Sequence, residues 1–165
     1  MVLHRPEIPN NTGNIGRTCL ALGCALHLIR PLGFDTSVKA LRRAGLDYWP
    51  RLAVREHDSW EAFRAAEAGR PLWLLSSQAT RPVWDAPLAP GDALVFGSET
   101  SGLPADLLAP HQDRLIGLPM VPHERSLNLA TAACAVVCEG IRQLASRGEI
   151  RLDETGRIWG KSPNL

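Results

Sequence analysis

Three short stretches of this 165-residue chain combine amides, cations and glycines in patterns that could do chemistry. The first is Pro6-Glu7-Ile8-Pro9-Asn10-Asn11-Thr12-Gly13-Asn14-Ile15-Gly16-Arg17. Its prolines and Gly13 predict a rigid turn, and its asparagines offer both donors and acceptors. Beyond the turn, Ile15, Thr18, Cys19 and Leu22 share one helical face, while Arg17 projects about 160° away from it. Arg17 is then free to meet solvent or an anionic ligand.

The second stretch, Leu94 through Pro104, is an apolar strand running into a polar loop that contains Glu99 and is bounded by Gly97 and Gly102. The glycine spacing imitates a phosphate-binding loop, but Leu103-Pro104 replaces the Lys-[Ser/Thr] that would hold phosphate and magnesium. No G-x-G-x-x-G follows the first strand either, which argues against a dinucleotide cofactor. The third stretch, Leu118 through Leu129, carries two prolines, Arg125, Ser126 and Asn128. Ser126 is expected to cap a final helix, with Asn128 in its first turn. Metal chemistry is not expected. Cys19/Cys24 and Cys134/Cys138 do not form C-x-x-C pairs, and His123-Glu124 lacks the second histidine of H-E-x-x-H.

These stretches need elements to hold them. Short apolar runs predict strands at Val2–His4, Ala25–Ile29, Leu52–Arg55, Leu72–Ser76, Ala93–Gly97 and Arg114–Gly117. Helical periodicity predicts helices at Asn14–Leu22, Ser37–Ala44, Ser59–Ala68, Pro104–Ala109 and Ser126–Ala145, with Gly23, Gly45 and Gly69 just past helix ends. The alternation implies a single α/β domain with a mostly parallel sheet, whose ligands bind at loops after strand C-termini. That domain is expected over residues 1–148, followed by a tail or peripheral hairpin at 149–165. Leu129–Cys138 is apolar all round except Thr131, so burial on every side, including against a second subunit, is expected, with Cys134 and Cys138 as buried small hydrophobes.

Composition narrows the function. With 45 % hydrophobic and 21 % charged residues the chain is globular, and no apolar run reaches the ~20 residues of a membrane span. The N-terminus lacks a signal-peptide layout and the cysteines suit free thiols, so a cytoplasmic protein is expected. A net charge of +1 excludes bulk-charge binding of nucleic acid, although residues 1–50 alone carry six basic and three acidic groups. Lys39 to Arg43 fits either a solvated helix face or a local phosphate-binding surface.

Taken together and in order, the stretches resemble the three signature motifs of the SPOUT class of S-adenosylmethionine-dependent RNA methyltransferases. The wording of Pro6–Asn14, and of Leu41-Arg42-Arg43-Ala44-Gly45-Leu46-Asp47-Tyr48-Trp49, is most similar to the short tRNA wobble-position (cytidine/uridine 34) 2′-O-ribose methyltransferases. The resemblance covers residues 1 to about 146. It implies a C-terminal trefoil knot, an obligate homodimer, and S-adenosylmethionine held around Leu75, Gly97, Glu99, Gly102, Leu118 and Ser126. It implies Arg17 as the catalytic arginine, with Ser126 and Asn128 orienting the site. Asn11, Asn14, Arg42, Arg43 and Arg125 would contact RNA, the anticodon loop of a tRNA. The same chemistry on another tRNA or rRNA position, or a non-catalytic RNA-binding protein of this fold, is the alternative. The sequence departs from the subfamily at His4-Arg5, usually an aromatic and an acid, and at Cys138, usually a tyrosine.

Overall fold

The computed structural model describes residues 1–36 and 47–159. Six parallel strands form one sheet: β1 (Val2–His4), β2 (Leu26–Ile29), β3 (Val54–His57), β4 (Leu72–Leu75), β5 (Ala93–Phe96) and β6 (Leu115–Ile116). Their order across the sheet is β3-β2-β1-β5-β4-β6. The helices are α1 (Pro9–Leu22), α2 (Trp60–Ala66), α3 (Ala105–Leu108) and α4 (Leu129–Ser146), and β7 (Arg151–Leu152) pairs antiparallel with β8 (Ile158–Trp159). The helix expected at 37–44, with Arg42, Arg43 and Gly45, lies outside the described residues.

The strands are apolar on both sides because both faces of the sheet are covered. Leu3, Leu28, Trp73, Leu94, Phe96 and Ile116 face α1 and α4, meeting Ile15, Cys19, Ala133, Val136 and Val137. The alternate residues Val2, Ile29, Leu72, Leu74 and Val95 face α2 and α3, meeting Phe63, Leu103 and Leu107. At the β2–β3 edge, His27 and His57 stack with ring nitrogens 2.9 Å apart, and Glu67 beside them takes Arg55 at 2.9 Å and Arg70 at 3.1 Å.

Several sequence expectations need correction. α1 begins at Pro9 rather than Asn14, so Asn10 to Gly13 are helical and not a turn. Proline is suited to that first helical position, where no N–H is required. β3 sits two residues later than expected, at Val54–His57. α4 is capped by Asn128, not Ser126: Asn128 Oδ1 accepts from the N–H groups of Ala130 and Thr131 at 3.0 and 3.1 Å. Nor is α4 buried on every side within the chain. Ala133, Val136, Val137 and Gly140 face the core, whereas Cys134 and Cys138 are exposed.

The route from β6 to α4 shapes the site. β6 pairs with β4, and just beyond it Gly117 donates to the Arg81 carbonyl at 2.9 Å and accepts from Val83 at 2.9 Å. Residues 116–117 thus run between two arms, the end of β4 at 74–76 and, at 81–83, the connection that follows it. No helix among the described residues is long and apolar enough to cross a membrane.

Candidate active site

The carboxyl ends of β4, β5 and β6 open into a cleft of about 480 Å³. The loop after β5 builds one wall. Ser98 and Gly102 exchange backbone hydrogen bonds at 3.2 and 3.0 Å, and the Ser98 and Ser101 hydroxyls meet at 2.8 Å, so the loop folds back on its own start. Gly97 makes that closure feasible: a Cβ there would lie 2.0 Å from the Gly102 carbonyl carbon. Gly102 itself takes φ 69°, a left-handed conformation that glycine adopts without steric cost.

The closed loop projects Glu99 toward the start of α1. Its carboxylate accepts from the N–H groups of Glu7 (2.8 Å) and Ile8 (3.2 Å) and from Asn11 Nδ2 (3.0 Å). Negative charge is favourable beside a helix N-terminus, where donors lack partners. Thr100 adds a second tie, its hydroxyl donating to Glu7 Oε1 at 2.8 Å. Asn11 then accepts from Asn128 Nδ2 at 3.0 Å, and Asn128 Oδ1 holds the first turn of α4. One hydrogen-bonded chain, Glu99–Asn11–Asn128, therefore joins all three stretches. Since carboxylate oxygens only accept, the orientation of both amides follows from Glu99.

Leu75, Gly97, Glu99, Gly102, Leu118 and Ser126 all line this cleft, as do Asn11, Arg125 and Asn128. Asn14 and Arg17 do not; both are exposed on α1. The Arg17 guanidinium stands 4.9 Å over the Tyr48 ring, and the Tyr48 hydroxyl donates to the Gly13 carbonyl. Burial raises the Tyr48 phenol above its usual range, and the Arg17 charge opposes that rise. Trp49 packs beside them where a Cβ on Gly16 would come within 2.9 Å of its ring. Ser76, Ser77 and Gln78, which follow β4, also line the cleft and were missed from sequence. Their place directly after a strand was the available signal.

The model of one family, the SpoU rRNA methylase family, matches residues 1–138. The chain belongs to that family. Among SpoU relatives, the tRNA (cytidine(34)-2′-O)-methyltransferase of Saccharophagus degradans is 48% identical over 149 residues, covering 90% of this chain and 97% of the relative. A solved structure described as giving insight into 2′-OH methylation of C/U34 on tRNA superposes with a TM-score of 0.82 at 46% identity, covering 88% of this chain and 95% of that one. The SpoU methyltransferase AviRb from Streptomyces viridochromogenes, solved with the cofactor AdoMet, gives a TM-score of 0.67 at 31% identity, covering 88% of this chain and 60% of that one.

Proposed function

We propose that this chain transfers a methyl group from S-adenosylmethionine to the ribose 2′-hydroxyl of the wobble nucleotide in the anticodon loop of a tRNA. The observation that carries this reading is near-full-length similarity to wobble-nucleotide methyltransferases, joined to a formed cleft walled by the three motif segments. The cleft fits such a donor: its size lies within the ~300–1,000 Å³ of small-molecule sites, and Gly97 lets the loop after β5 fold back tightly into one wall.

Leu75, Gly97, Gly102, Leu118 and Ser126 would hold the donor, which supplies an already activated methyl group. Glu99 fixes the wall by anchoring it to α1, and Asn128 and Ser126 orient the mouth. The task left to the protein is alignment of the ribose oxygen and removal of its proton. Arg17 is a poor base because a guanidinium stays charged. Its place outside the cleft of its own chain favours a hold on the RNA phosphate. Asn14, Arg125, Arg42 and Arg43 would contact the RNA, and Asn11 acts through its ties to Glu99 and Asn128.

The passage of residues 116–117 between the end of β4 and the connection that follows it supports a trefoil knot. The exposed side of α4, with Thr131, Cys134, Ala135 and Cys138, supports a homodimer packed through that helix. We read residues 1–148 as the catalytic domain with 149–165 appended, in a cytoplasmic enzyme. Incubating purified protein with labelled S-adenosylmethionine and tRNA should place the label on the ribose of nucleotide 34. Label on another nucleotide would redirect the target, and no label with well-folded protein would remove the enzyme reading.

A further inference from the structure

The chain after Gly148 is more ordered than a spacer requires. Asp153 Oδ1 accepts from the Thr155 N–H at 2.8 Å, the Thr155 hydroxyl at 2.7 Å and the Arg157 N–H at 2.9 Å. Gly156 completes the turn with φ 78°. The hairpin is also rooted: Ile150 is buried, Glu149 N–H donates to the Leu144 carbonyl at 2.9 Å, and Arg147 reaches the Leu88 carbonyl.

In the β7–β8 register Arg151 lies opposite Trp159, and Leu152 opposite Ile158. Side chains alternate along a strand, so Arg151, Trp159 and Arg157 share one face while Leu152 and Ile158 take the other. Trp159 is 67% exposed. Neither Arg151 nor Arg157 has a side-chain partner among the described residues, and neither stacks on the indole. Asp153 stands opposite Arg157 in the ladder and so shares this face, but its Oδ1 is taken up by the turn, and Arg151 and Trp159 lie at the other end of the hairpin. A two-stranded hairpin is marginal alone, yet this one carries an exposed indole and two guanidiniums that have no side-chain partner among the described residues.

We propose that this hairpin is a second RNA-contacting platform, on which Trp159 stacks against an unpaired base while Arg151 and Arg157 hold flanking phosphates. A flat aromatic beside cations is the chemistry that binds single-stranded nucleic acid. The platform rests on the reading of tRNA as substrate. It lies beyond the far end of α4, whose 18 residues span about 27 Å from Asn128 at the cleft. No residue of the hairpin lines the cleft of its own chain, so the platform is expected to act on binding rather than on chemistry.

The test uses full-length Trp159→Ala, Trp159→Phe and the Arg151→Ala/Arg157→Ala double variant, each checked for folding by circular dichroism. Trp159→Ala should weaken tRNA binding about ten-fold while Trp159→Phe retains most affinity. The double variant should lower the slope of log affinity against log salt by about 1.4 to 1.8. Donor affinity and the single-turnover rate at saturating tRNA should stay at wild-type values. Unchanged tRNA affinity in all three variants overturns the proposal. So does loss of self-association with tRNA affinity intact, which would give the hairpin to a protein partner. If the wild type binds tRNA but transfers no methyl, the enzyme reading fails and the hairpin is still judged on binding.

Discussion

Asn11 and Asn128, 117 residues apart in sequence, meet through a 3.0 Å hydrogen bond between their side-chain amides. Each amide is already committed on its other side, Asn11 to Glu99 and Asn128 to the first turn of α4. Capping and site assembly are therefore two separable duties of Asn128. Asn128→Asp keeps the acceptor that caps α4 but loses the donor to Asn11; Asn128→Ala loses both. Denaturant melting should show Asn128→Ala less stable by ~1 kcal/mol and Asn128→Asp close to wild type. Methyl transfer should fall in both.

Arg17 separates donor binding from transfer. Among the described residues its ring contact is with Tyr48, and an exposed cation–π contact contributes about 0.5–1 kcal/mol. Arg17→Ala should thus cost less than about 1 kcal/mol in stability. Donor affinity should be unchanged and the single-turnover rate should drop steeply. Arg17→Lys should rescue poorly, because an ammonium lacks the planar two-pronged geometry. A wild-type rate for Arg17→Ala at saturating tRNA would reduce Arg17 to a binding residue.

Gly97 gives the sharpest steric test. A methyl there meets backbone 2.0 Å away, with no flexible side chain to yield. Gly97→Ala should abolish the rise in melting temperature that saturating S-adenosylmethionine gives the wild type, which is about 2.7 kcal/mol of stabilisation at 100 times Kd. Retention of the full shift would show that the wall can move.

The paired histidines set an acid limit. Burial pushes His27 down to about 4, and burial also lowers His57. An unfolded histidine titrates near 6.5, so between about 6.5 and 4 the unfolded chain takes up a proton that the native state refuses. Stability is full above that window and falls as pH drops through it, by about 3 kcal/mol for His27. His27→Gln should flatten the decline in melting temperature across this range.

The proposed subunit contact is tested on the exposed side of α4. Val137 is 3% exposed and belongs to the core, so a charge there would unfold the chain instead of separating subunits. Ala135→Arg should give folded monomers by sedimentation, against a wild-type dimer. A wild-type monomer at micromolar concentration would remove the dimer.

What the sequence revealed was the local part. β1, β4 and β5 follow from short apolar runs, and their ends from the polar loops after them. The start of α1 was misread because Pro9-Asn10-Asn11-Thr12 suits a turn locally; Glu99, 88 residues from Asn11, meets the backbone just ahead of that helix. Within the chain, α4 presents Cys134 and Cys138 on the side away from the sheet, and a uniformly apolar helix does not show which side that is. That is settled by the spacing of Ala133, Val136, Val137 and Gly140 against strands far away.

The position of Gly117 between the arms at 74–76 and 81–83 has a consequence for synthesis. A ribosome delivers the sheet strands and the Glu99 loop first, and Leu118 through Ala132, which complete the cleft, only afterwards. A nascent chain halted before Asn128 has all six strands of the sheet but neither α4 nor the amide that ties it to Asn11. On the proposed function, the donor cleft is therefore completed only once Leu118 through Ala132 have been made.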